Sequence, residues 1–111
     1  MKYKKGDIAI IAFPFSDLSG TKKRPALILS NATVNKTGDY LMVQITSKLR
    51  NDVLSLRIAE NDYMNATLLP LPSCIRLHKL FLLNERLIMT KYTALTPEFM
   101  DVVKKGILNL L

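Results

Sequence analysis

Tyr40-Leu41-Met42-Val43-Gln44-Ile45-Thr46 reads as a β-strand from its alternation. Successive side chains of a strand point to opposite faces, so Leu41, Val43 and Ile45 share one face and Tyr40, Met42, Gln44 and Thr46 the other. The same period governs residues 53–59, where Leu54, Leu56 and Ile58 oppose Ser55 and Arg57. Upstream, Asp7–Phe13 is a continuous, isoleucine-rich apolar run, the pattern of a strand buried on both faces. Pro14 ends it. Ser16, Asp17, Ser19 and Gly20 then give residues 15–23 the composition of a loop. Residues 25–30 predict a second short strand, with Pro25 at its first position because proline has no N–H to donate. Residues 31–39 read as a connection and 61–65 as a polar one. Residues 68–72 hold two prolines and are at best an edge. Residues 73–83 and 87–90 predict further strand pieces joined at Asn84-Glu85-Arg86.

The period changes near the end. Thr96 is a good N-cap and Pro97 suits the first helical turn. Phe99, Val103, Ile107 and Leu110 then form one helical stripe, opposite Glu98, Asp101, Lys105 and Asn109. Asp101 precedes Lys105 by four, the favourable order for a helical ion pair. Five or more short strands and one helix in 111 residues predict a mainly β chain with a C-terminal α-helix, curved into a small barrel and forming one domain over residues 1–111. Leu68, Leu69, Leu71, Phe81, Leu82, Leu110 and Leu111 exceed what so small a core needs, and a homodimer is the simplest cover for them.

Composition narrows the function. Hydrophobic residues make up 49% and charged residues 23%, which is globular rather than disordered. Charge or proline interrupts every apolar run before it could cross a bilayer, and the start lacks the marks of a secretory signal, so the expected setting is cytoplasmic, with no membrane partner. The lone Cys74 excludes an internal disulfide and reads as a half-buried strand residue. Cys74 and His78, the only histidine, cannot together build a zinc site. No glycine-rich phosphate loop or paired-carboxylate motif is present, so no metal or cofactor is expected. Charge stabilisation by arginine, together with hydroxyl groups, is the chemistry left. The net charge of +7, with Lys22-Lys23-Arg24 in a row, is of the kind that usually serves solubility, and it also suits a polyanionic partner, either nucleic acid or an acidic protein.

The distinctive segments follow one another in order. Gly6-Asp7-Ile8 opens the first strand, and Phe13-Pro14-Phe15-Ser16-Asp17 follows it. Next come Lys22-Lys23-Arg24-Pro25-Ala26-Leu27-Ile28-Leu29-Ser30-Asn31 and Gln44-Ile45-Thr46-Ser47. Pro72-Ser73-Cys74-Ile75-Arg76-Leu77-His78-Lys79-Leu80-Phe81 and Leu95-Thr96-Pro97-Glu98 complete the series. Together they resemble the MazF/PemK toxin family, in its PemK-like branch, over nearly the whole chain. His78 stands where this branch often has Asp, and Thr93 where Gly is usual.

The resemblance implies an SH3-like small β-barrel of the MazF/PemK/CcdB kind that works as a homodimer. It implies a sequence-specific endoribonuclease that cleaves single-stranded RNA without a metal, through attack of the ribose 2′-hydroxyl on the adjacent phosphate. It implies a cognate antitoxin, and the basic charge suits one with an acidic tail. Arg24 and Thr46 are the expected catalytic pair. Phe15, Lys22, Lys23, Ser47 and Arg76 are the expected RNA contacts, with a structural ion pair the other reading for Arg76. Two alternatives stay open on the same fold: a non-catalytic gyrase poison resembling the CcdB toxins, and a plain binding module whose basic loop docks a partner.

Overall fold

In the computed structural model, which describes residues 2–13 and 22–111, six strands form one antiparallel sheet. They are β1 (Asp7–Phe13), β2 (Lys22–Ile28), β3 (Asp39–Thr46), β4 (Ser55–Arg57), β5 (Cys74–Asn84) and β6 (Ile88–Ala94). Their order across the sheet is β4-β5-β3-β2-β1-β6. A single turn of helix, α1 (Ala32–Asn35), lies between β2 and β3, and α2 (Pro97–Leu108) follows β6. Among the described residues no hydrogen-bond ladder joins β4 to β6, so the sheet is open.

The sheet is nevertheless strongly curled. β5 and β6 are joined only by the turn Glu85–Leu87, yet three strands separate them in the sheet. Only a sheet that bends round on itself lets that connection span its ends. Accordingly Leu83 of β5 and Ile88 of β6 meet in one cluster with Ala9, Ile11, Ala26, Ile28, Tyr40 and Met42. The Tyr40 hydroxyl donates to Glu85 Oε1 at 3.2 Å, fastening the turn to the middle strand. On the other face Ile8, Leu27, Val43, Ile45, Ile75 and Leu77 pack under Phe99 and Val103 of α2.

The alternation expected for residues 40–46 holds, with Val43 and Ile45 in one cluster and Tyr40 and Met42 in the other. Both faces are covered, as the apolar run of β1 predicts. Gly106 lets α2 approach β5, since a Cβ there would stand 2.9 Å from Leu77 Cδ1. Burial of the helix face outweighs the roughly 1 kcal/mol that a helical glycine costs relative to alanine. Thr96 caps α2 as expected, its hydroxyl accepting from Phe99 N at 3.1 Å.

Four expectations need correction. First, β2 begins at Lys22 rather than Pro25. Pro25 is tolerated inside it because of the register. Leu29 N donates to Leu41 O at 2.8 Å, which makes that pair a hydrogen-bonded one. Hydrogen-bonded pairs alternate with non-bonded ones, so Leu27–Val43 and Pro25–Ile45 are the next two. Pro25 therefore turns its missing donor towards β3, and the β2–β3 ladder stops at Ala26–Gln44. Towards β1 nothing is lost, and pairing runs on to Phe13–Lys22.

Second, the strand expected over 53–59 shrinks to Ser55–Arg57. Asp52 Oδ1 accepts from Leu54 N at 3.0 Å, and this local turn displaces Val53, which is 86% exposed. Third, α2 ends at Leu108, so Leu110 lies beyond the stripe and is exposed. Asp101 and Lys105, both exposed, form no ion pair among the described residues. Fourth, Leu69 belongs to the helix-side core, and Leu68 and Phe81 are partly buried, so none of the three is free surface; Leu71, Leu82 and Leu111 are exposed.

Candidate functional site

The basic run Lys22-Lys23-Arg24 belongs to a strand, opposite Phe13, Ala12 and Ile11 of β1, and not to a loop. A strand backbone fixes where these charges stand. Lys22 and Lys23 are exposed and Arg24 is half-buried. None of the three side chains forms a hydrogen bond or ion pair among the described residues. A half-buried guanidinium with five unclaimed donors is an anion site in chemical terms.

β3 delivers Thr46 to the same place. Extending the β2–β3 register by two residues beyond Ala26–Gln44 sets Arg24 opposite Thr46. The ladder has already stopped there, so the strands leave a gap rather than a seam. Arg24 and Thr46 both line a groove of about 240 Å³ at this end of the sheet, together with Lys23, Pro25 and Ser47. The Thr46 hydroxyl accepts from Lys48 N at 3.1 Å, which orients it and leaves its proton free to donate. Ser47 is exposed beside it.

The far wall of the groove is Leu69, Pro70, Leu71 and Ser73. Sequence reading missed these four as site residues. Its one available signal was the pair of prolines at 70 and 72, which keep this segment out of the sheet and leave it to lie across the end of β3.

Arg76 stands apart from this groove. It is buried in β5, with Nη1 2.6 Å from Ser55 Oγ and 3.4 Å from both carboxylate oxygens of Asp52. That is the ion-pair alternative, and the pair ties the segment after Thr46 back to the sheet. Burial pushes the Asp52 carboxyl upward. The Ser55 hydroxyl, the Leu54 N–H and Arg76 together outweigh it and hold the group below its usual range.

Phe15 lies outside the described residues. Cys74 is fully rather than half buried, and His78 is exposed, so the two share no site. Thr93 is buried, its hydroxyl donating to Thr67 O at 2.6 Å, which makes it a structural residue. Among the described residues no three of His, Cys, Asp and Glu come together as metal ligands, and no helix is long and apolar enough to cross a membrane.

Comparison with known proteins agrees with this fold. The fold matches a MazE–MazF structure from Deinococcus radiodurans with a TM-score of 0.79 at 17% identity, covering 99% of this chain and 96% of that one. It matches an endoribonuclease in complex with its cognate antitoxin, from a mycobacterial species, with a TM-score of 0.76 at 18% identity, covering 96% and 92%. A second mycobacterial endoribonuclease gives 0.75 at 19% identity, covering 98% and 90%. No curated protein sequence matches. The family model for PemK-like, MazF-like toxins matches residues 4–111. With nearly its whole length accounted for by that model, this chain belongs to the PemK-like, MazF-like toxins of type II toxin–antitoxin systems.

Proposed function

We propose that the chain is a metal-independent, sequence-specific endoribonuclease toxin, with the groove between the ends of β2 and β3 as its active site. The observation that carries this reading is the placement of Arg24 opposite Thr46 in one open groove. The similarity to endoribonucleases, one of them held with an antitoxin, supports it.

In this reading the ribose 2′-oxygen attacks the neighbouring phosphorus while the bond from phosphorus to the 5′-oxygen breaks. The 2′-proton leaves, and the departing oxygen gains one. The products are a 2′,3′-cyclic phosphate and a free 5′-hydroxyl. Negative charge builds on the non-bridging oxygens, and the Arg24 guanidinium meets it with two parallel donors. Arginine stays protonated, so its part is stabilisation of charge. Thr46, held by Lys48 N, donates to the phosphate or to the attacking oxygen. Lys22, Lys23 and Ser47 draw in and position the strand. Arg76, already paired with Asp52, serves RNA binding through the segment it holds.

The same proposal includes a homodimer, a cognate antitoxin with an acidic tail, a cytoplasmic setting, and residues 1–111 acting as one toxin domain. Incubation with single-stranded RNA in excess chelator tests it. Cleavage that depends on Arg24 is expected. Inhibition of supercoiling without RNA cleavage would instead assign the gyrase-poison reading.

A further inference from the structure

A second cavity, of about 440 Å³, adjoins the catalytic groove and shares its wall of Leu69, Pro70 and Leu71. We propose that it is a guanine pocket for the nucleotide next to the cleaved phosphate, read by Arg57 and Glu60. The proposal rests on the ribonuclease reading above and deepens it.

Position is the first argument. Arg57 pairs with Cys74 across β4 and β5, and Cys74 pairs with Thr46 across β5 and β3. Arg57, Cys74 and Thr46 thus stand in one row, on one face, with Arg57 two strands from the catalytic threonine. Adjacent strands lie about 4.8 Å apart, so the row sets Arg57 about 10 Å from Thr46. That suits a base attached one nucleotide from a phosphate held at Thr46.

The lining is the second. Ile58, Tyr63 and Leu68 provide an apolar box large enough for a purine. Tyr63 is buried, so an aromatic ring forms part of the wall a base would meet. Arg57 and Glu60, both exposed, are the charged residues of the lining. Neither side chain forms a hydrogen bond or ion pair among the described residues, so both forks are free.

The chemistry of those forks selects the base. A carboxylate accepts from two adjacent donors, and guanine offers N1–H and the 2-amino group side by side. A guanidinium donates to two adjacent acceptors, and guanine offers O6 and N7. No other RNA base carries both sets on neighbouring edges.

The test is cleavage of randomised single-stranded RNA with the ends mapped, followed by one preferred substrate carrying inosine in place of guanine. Wild type should show guanine enriched at one fixed position beside the cut. Inosine, which lacks the 2-amino group, should slow that substrate by about tenfold or more, in line with the cost of losing one base contact of a bidentate pair. Glu60→Gln and Arg57→Ala should each flatten that position alone, leaving the enrichment at other positions in place. Arg24-dependent cleavage without a guanine position, or with one that both variants preserve, would overturn the pocket while leaving the ribonuclease reading intact. Absence of any cleavage by the wild-type protein would overturn both.

Discussion

Continuing the β2–β3 register beyond its last pair, Ala26–Gln44, sets Arg24 opposite Thr46, one residue past the position where Pro25 has no donor to offer Ile45. The two side chains share a face of the sheet at a position where the ladder no longer holds the strands together. A proline thus sets the opening between the proposed catalytic groups.

Replacing Arg24 with alanine should leave the fold intact, because the side chain has no partner among the described residues to lose. Cleavage should fall by roughly 10²–10³, the usual cost of removing one donor to transition-state charge. Thr46→Ala should cost less, since its hydroxyl carries no full charge. Single-turnover cleavage rates with circular dichroism as the folding control check both. A folded Arg24→Ala protein with near wild-type rates would remove Arg24 from the mechanism.

Pro25→Ala should return the missing N–H and let the β2–β3 ladder close one bond further. One added backbone bond is worth about 1 kcal/mol, so the variant should be at least as stable as wild type in urea. The groove between Arg24 and Thr46 should narrow and RNA cleavage should fall. Amide exchange at position 25 of the variant reads the new bond directly. Rapid exchange of that amide with unchanged activity would show that proline does not hold the groove open.

Cleavage should persist in excess EDTA and stop when the ribose 5′ to the cut carries no 2′-hydroxyl. The products should be a cyclic phosphate and a 5′-hydroxyl, readable by mass spectrometry. Activity lost with the chelator and restored by Mg²⁺, or cleavage of the 2′-deoxy substrate, would refute 2′-hydroxyl attack.

The Asp52 pair predicts a pH signature. Its carboxyl is held below the unfolded value, so the native state favours the charged form. The resulting stabilisation is present above the unfolded carboxylate value of about 3.9 and is lost as pH falls through the lower folded value. Wild type should therefore melt above Asp52→Asn at neutral pH, and the gap should shrink in acid below about pH 4. A gap that keeps its size well below pH 4 would mean that the carboxylate charge is not what holds Arg76.

Lys22 and Lys23 are exposed on a strand beside the groove. Reversing both to Glu should weaken antitoxin binding and flatten its dependence on salt, because carboxylates of an acidic tail would lose their partners. Titration of the folded double variant with the antitoxin at several ionic strengths measures this. The same affinity and the same salt slope would place the docking surface elsewhere.

Local patterns made the strands, the capped helix and the two-sided burial legible, because alternation and capping act within a few residues. Residues 53–59 misled because an Asx turn at Asp52 outcompeted the alternation, and a turn of that kind leaves no period to read. Pro25 misled for a different reason. A proline is excluded from a strand only on the side where its N–H would be used, and that side is fixed by register with a partner elsewhere in the chain. Arg24 and Thr46 were singled out through the family resemblance, and they line one groove. The wall at Leu69–Leu71 was not, because nothing local says that a proline-rich segment will cross the end of β3. The partner of Arg76 was likewise hidden by the 24 residues separating it from Asp52.

The turn Glu85–Leu87 gives the molecule a covalent clasp. The outer strands β4 and β6 share no ladder, yet backbone bonds running directly from β5, next to one edge, to β6 at the other hold the curled sheet round. Opening that clasp by cutting the chain there would cost no strand pairing at first. It would free the ends to spread, and with them Leu83 and Ile88, which both belong to the inner core cluster. The barrel is therefore a ribbon buckled by its own chain, and the buckle is a three-residue turn far along the sequence from the groove at Arg24.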